Sequence, residues 1–188
     1  MPTGGVRTWW LLAVAALEAA AAVLYFQNAG HGFHLRTTVP LLGRLALATG
    51  ACGIAAGVRT APRDWLLGLN GLAFGVLGLV LTGVFGFRIG FRLIAFLILA
   101  TAISMAAVEW KAGRILRLAG RHSRAIIFAV AALLLLLFGG VFAAMALTGV
   151  RSAPGSHSEL FLLGAYFTLS AASVLTLIWG SRELNSGT

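Results

Sequence analysis

Long apolar stretches separated by short polar ones organise this chain. Six runs stand out: Trp9–Asn28, Leu41–Val58, Trp65–Phe85, Phe91–Trp110, Ala125–Thr148 and Glu159–Gly180. Each is near the roughly 20 residues that a helix needs to cross the hydrocarbon core of a bilayer. The strict alternation of a barrel strand is absent. Because backbone groups in lipid must be satisfied internally, the pattern predicts an all-α polytopic membrane protein with six transmembrane helices.

The polar gaps carry matching boundary signals. "RTAPRD" holds Pro62 and then Asp64, a good N-cap for the third helix. "VRSAPGSHSE" holds Pro154, Gly155 and Ser158 ahead of the sixth. Trp9, Trp10, Trp65, Trp110 and Trp179 fall at run ends, where indoles favour the headgroup level. Arg7 followed by an apolar run and Ala20-Ala21-Ala22 resembles a secretory leader, but Glu18 interrupts the apolar region and argues for a retained helix.

Composition agrees. Of 188 residues, 60% are hydrophobic and 10% charged, against roughly a quarter charged in a soluble domain. The six runs leave no room for a sizeable soluble unit, so residues 1–188 read as one membrane domain. The net charge of +9 sits mostly in the gaps, as lipid headgroups select, which sets nucleic acid aside. Cys52 is the single cysteine, so no intrachain disulfide forms.

Lysine and arginine counts predict orientation. With the N-terminus inside, Arg7, Arg59, Arg63, Lys111, Arg114, Arg117, Arg121, Arg124 and Arg182 are cytoplasmic. Arg36, Arg44, Arg88, Arg92 and Arg151 lie opposite. Nine against five puts both termini in the cytoplasm, with most of the margin in 111–124.

The runs also repeat. "WWLLAVAAL" resembles "DWLLGLNGL", "LALATGACGIAA" resembles "LILATAISMAA", and "AISMAAVEW" resembles "AASVLTLIW". Three tandem helical hairpins follow, at about 9–58, 65–110 and 125–180.

"WLLGLNGLAFGVLGLVL" from Trp65 and "FRLIAFLILATAISMAAVEWKAGRILR" from Phe91 carry a family likeness. The first is similar to the glycine-punctuated opening helix, and the second to the closing helix with its basic end, of the HdeD-like acid-resistance membrane proteins. The likeness is clearest over residues 63–117. "TGVFGFRIG" departs from it, since the family's opening helices often end at a proline. The resemblance implies a bacterial inner-membrane protein of acid or envelope stress resistance, with no established reaction and no catalytic residues.

Several side-chain groups invite chemistry. Gly68, Gly71, Gly75 and Gly78 form one face of the third run, as Gly50, Gly53 and Gly57 do in the second, and bare faces let backbones approach. Packing within one subunit is the simpler use, and a homo-oligomer interface or a substrate path the alternative. "KAGRILRLAGRHSR", if helical, sets Lys111, Arg114, Arg117, Arg121 and Arg124 against Ala112, Ile115, Leu116 and Ala119. It is expected as an interfacial helix or loop on anionic lipid headgroups, which also fixes topology. His31, His34 and His157 fall on the outer side, where they could sense acid, although short exposed loops also collect histidines. A metal at His31 and His34 is the weaker reading, and no metal or cofactor is expected.

Glu18 is the most pointed feature, because an ionised side chain at the bilayer centre costs about 2.5–3.5 kcal/mol. Facing the bundle interior, it is expected to meet Arg44 on the next helix or, when protonated, Asn70 on the third. Glu109, near the cytoplasmic rim, is expected to pair with a base, Arg59 being one candidate. No nucleophile–base set, phosphate-cradling glycine loop or intramembrane acidic pair is legible, so no catalytic activity is expected. The competing class is a small transporter or channel using Glu18, which would need several polar groups converging at mid-membrane.

Overall fold

The computed structural model describes residues 4–31, 35–59, 64–83, 91–148 and 157–185. Six helices account for nearly all of them: α1 (Gly4–His31), α2 (Leu35–Val58), α3 (Trp65–Leu81), α4 (Phe91–Leu118), α5 (His122–Thr148) and α6 (His157–Asn185). No strand occurs among the described residues. Five helices are long and apolar enough to cross a membrane, whereas α3 is apolar but has 17 residues.

The apolar runs locate the helix centres well and their ends less well. Helix α2 begins at Leu35, ahead of the expected Leu41, and carries Pro40 inside it. Helix α3 stops at Leu81, before the expected Phe85. There Thr82 N–H bonds Gly78 O at 2.9 Å, and Gly83 takes φ +69°, a left-handed stop that glycine reaches without strain. Asp64 precedes α3, but its side chain makes no capping bond. It takes Lys111 instead, with Nζ to Oδ1 at 3.0 Å, so the expected cap is an ion pair to α4.

The largest departure concerns residues 111–124. They form no separate interfacial element. Helix α4 continues two turns past Trp110, because Lys, Ala, Arg, Ile and Leu sustain a helix. It ends where Gly120 adopts φ +78°, with Arg121 N–H bonding Leu116 O and Gly120 N–H bonding Arg117 O, a Schellman closure. Helix α5 then starts at His122. The apolar side expected to face away is only partly covered: Leu116 is buried, but Ile115 and Ala119 are exposed.

Neighbouring helices run antiparallel. Helices α2 and α3 meet glycine to glycine: a Cβ placed on Gly50 would lie 2.5 Å from Gly75 N, and one on Gly57 2.6 Å from Gly68 N. A Cβ on Gly71 would lie 2.5 Å from Ile54 N, and one on Gly53 2.9 Å from Gly71 Cα. These backbones are as close as helices can come. Gly78 does the same against Leu47, whereas a Cβ on Gly68 or Gly75 would meet open space. The expected glycine faces therefore pack α2 on α3, each residue in its own way.

Helix α1 packs along α6, with Tyr25 stacked on Phe167 at 5.4 Å and Phe26 edge-on to Phe161 at 5.3 Å. Helix α5 lies along α4, where Gly139 admits Ala102. The closest partnerships are thus α2–α3, α4–α5 and α1–α6, while α5 and α6 touch little. The expected hairpins pair helices one step out of register with this packing, because the small residues that permit close approach face across the hairpins. Alternation brings Trp9, Trp10, Trp65, Trp110 and Trp179 to one end of the bundle, together with Arg59, Lys111 and Arg124. Arg59 lies over Trp10 at 5.5 Å and Arg124 over Trp179 at 5.1 Å, both cation–π contacts.

Candidate functional site: a buried polar seam

Helix α6 crosses the bundle with Tyr166, Ser170, Ser173 and Thr176 at intervals of four, three and three residues, which is one helical face. The first three are buried and Thr176 partly so. This face turns towards α4 and α1, and the polar residues of both helices meet it.

Glu18 lies at the α1 side. It is 1% exposed, so the expectation that it faces the interior holds. The Ser170 hydroxyl is within interaction range of its carboxyl, yet no well-formed hydrogen bond reaches Glu18 Oε2 or Ser170 Oγ. Arg44 is not its partner. That residue is exposed on α2 and makes no ion pair with Glu18, because helix rotation turns the guanidinium outward. Nor does Asn70 bond it; its amide donates to Thr101 O at 3.4 Å.

Thr101 is the hub on α4. Its carbonyl also accepts from Ser104 at 2.9 Å, and its hydroxyl meets Tyr166 Oη at 2.8 Å. The same hydroxyl lies 2.8 Å from Ile98 O. One hydroxyl carries one proton, so with Thr101 donating to Ile98 O, Tyr166 is the donor to Thr101. Tyr166, Thr101 and Ser104 are all buried.

Two helical turns towards the tryptophan end lies Glu109, 0% exposed. Its expected base is absent: Arg59 is committed to Trp10, and among the described residues no ion pair reaches Glu109. Thr176 Oγ1 lies 2.7 Å from Ser173 O and 3.4 Å from Glu109 Oε1, and its one proton serves one of the two at a time. The Ser173 hydroxyl is within interaction range of that carboxyl, yet no well-formed hydrogen bond reaches Ser173 Oγ or Glu109 Oε2. The four partnerless buried side-chain oxygens of the described residues, Glu18 Oε2, Glu109 Oε2, Ser170 Oγ and Ser173 Oγ, thus fall on one seam. Ser170 and Thr176 are six residues apart, so the two carboxyls sit roughly 9 Å apart along α6.

Sequence reasoning found Glu18 and Asn70 but missed Thr101, Tyr166, Ser170, Ser173 and the burial of Glu109. The readable signal was the helical spacing of hydroxyl residues inside the sixth apolar run. The remaining candidates lie elsewhere. Lys111 pairs with Asp64, and Arg114 and Arg117 are exposed on α4 beside a cavity of about 360 Å³. Arg121 and Arg124 are partly buried around the turn into α5. His34 lies outside the described residues, and of His31 and His157 only their places, at the end of α1 and the start of α6, are described. Among the described residues no group of three or more metal-ligating side chains gathers. No family model, curated protein or solved structure matches this chain.

Proposed function

We propose that this chain is a six-span bacterial inner-membrane protein that moves protons, with Glu18 as the mid-membrane exchange group and Glu109 as its link to the basic face. The observation that carries the reading is the seam of partnerless oxygens. Two carboxyls and two serine hydroxyls, all at most 1% exposed, follow one another across the helix interfaces without satisfying one another. Unsatisfied buried polar groups are costly, and inside a membrane bundle ionisable ones mark ion and proton pathways. Serine hydroxyls both donate and accept, so they can pass a proton between carboxyls, directly or through a bound water. The tight enclosure suits a proton, which needs no open passage, better than a hydrated ion.

Orientation follows from charge. The end of the bundle that carries Arg59, Lys111, Arg114, Arg117, Arg121 and Arg124 is read as cytoplasmic, with both termini there. The likeness to HdeD-like proteins over residues 63–117 supplies the setting, survival under acid or envelope stress, and no catalytic turnover is part of the reading.

The test is proton flux into liposomes that carry the purified protein, a pH-sensitive dye inside and an imposed membrane potential. Flux is expected from the native chain and lost in Glu18→Gln and Glu109→Gln, both of which keep a hydrogen-bonding side chain of the same shape. Flux at the protein-free rate, or equal flux in Glu18→Gln, refutes the reading.

A further inference from the structure

Where α4 leaves the tryptophan girdle, a cavity of about 360 Å³ opens between it and α5. Trp110, Arg114 and Arg117 form its polar side, while Gly113, Leu118, Ala125 and Ala129 form the rest. Arg114 and Arg117 are exposed, and among the described residues neither has an acidic partner. That sets them apart from Lys111, held by Asp64, and Arg124, held over Trp179. Trp110 is 62% exposed, as an indole at headgroup level is.

We infer that this cavity is a binding site for the headgroup of an anionic phospholipid, its phosphate held by Arg114 and Arg117. Guanidinium groups match phosphate oxygens in geometry as well as charge. The apolar remainder of the lining argues for a lipid over a free phosphate. Beyond Ala129, α5 exposes Val130, Leu133 and Leu137, a track along which an acyl chain can lie. The small side chains at Ala125 and Ala129 leave the space, and Leu118, 81% exposed at the rim, gains cover from a bound lipid. No residue of the proton seam lines this site.

The test is native mass spectrometry of detergent-purified protein titrated with phosphatidylglycerol, phosphatidylcholine or inorganic phosphate. Phosphatidylglycerol is expected to be retained in preference to phosphatidylcholine. Arg114→Gln and Arg117→Gln should each weaken its retention about fivefold, the equivalent of about 1 kcal/mol per basic residue at a membrane surface. Arg59→Gln, equal in charge but remote, should leave it unchanged. Ala129→Leu keeps every charge and fills the cavity, so it should displace the lipid as well. Equal losses in Arg59→Gln and Arg114→Gln, or full retention in Ala129→Leu, would mean diffuse electrostatic attraction and overturn the site. Inorganic phosphate that competes as well as the lipid would overturn the lipid assignment.

Discussion

Tyr166 on α6 and Thr101 on α4 share a 2.8 Å hydrogen bond in the middle of an apolar bundle, and both residues are 0% exposed. Because Thr101 can donate to Ile98 O, Tyr166 is the donor, and its own oxygen remains able to accept. Helices α4 and α6 run parallel and otherwise touch little, so this bond, with the longer Thr176–Glu109 contact, sets their relative height. Tyr166→Phe is expected to lower stability by about 0.6–2 kcal/mol, the range for interhelical bonds in membranes. A double-mutant cycle with Thr101→Val, read by unfolding in mixed detergent, should return most of that loss as coupling. No coupling would mean that packing alone sets the height.

The glycines of α2 and α3 separate into two groups that sequence spacing does not distinguish. Gly50→Ala and Gly71→Ala push a methyl into backbone 2.5 Å away, with no side chain to yield. Each should destabilise by about 1–3 kcal/mol as the helices part. Gly75→Ala meets open space and should be neutral or stabilising by up to about 1 kcal/mol. Thermal unfolding of the three variants checks the contrast, and equal losses would contradict the interface.

Asp64 and Lys111 tie the start of α3 to the late turns of α4 at 3.0 Å, with side chains 11% and 43% exposed. Solvent screening limits such a pair to about 1 kcal/mol or less. Asp64→Asn should therefore cost little, and its effect on thermal unfolding should fade at high salt; a larger, salt-independent loss would contradict a screened surface pair.

Periodicity and hydropathy carried the helices and their approximate centres, because burial in lipid forces long uninterrupted apolar runs. Helix partners were less legible. Matching segments suggested hairpins, but close packing is set by which face of each helix is bare, and Gly50, Gly71 and Gly139 direct those faces to other neighbours. The same limit explains Arg44. Depth placed it near Glu18, whereas the rotation of α2, fixed by its glycine contact with α3, turned it outward. The seam was scattered as single Ser, Thr and Tyr residues over two apolar runs, with Glu18 on a third. Only the assembly of α1, α4 and α6 brings them into line.

Glu18 and Ser170 allow stability and function to be separated. Both carry an oxygen without a partner at essentially zero exposure. Each is stranded already, so Glu18→Met alone should recover part of the lost stability. Removing both deletes the whole local polar burden, and replacing buried polar groups that lack partners by apolar ones of similar shape is neutral or favourable. Glu18→Met with Ser170→Ala is thus expected to match or exceed the native chain in resistance to unfolding, by up to about 1–2 kcal/mol, while proton flux in liposomes is abolished. A functional group kept at the expense of stability should behave in this way. If the double variant unfolds more readily than the native chain, Glu18 is a structural anchor. If it remains stable and still passes protons, Glu18 is not the exchange group and the proposed function fails.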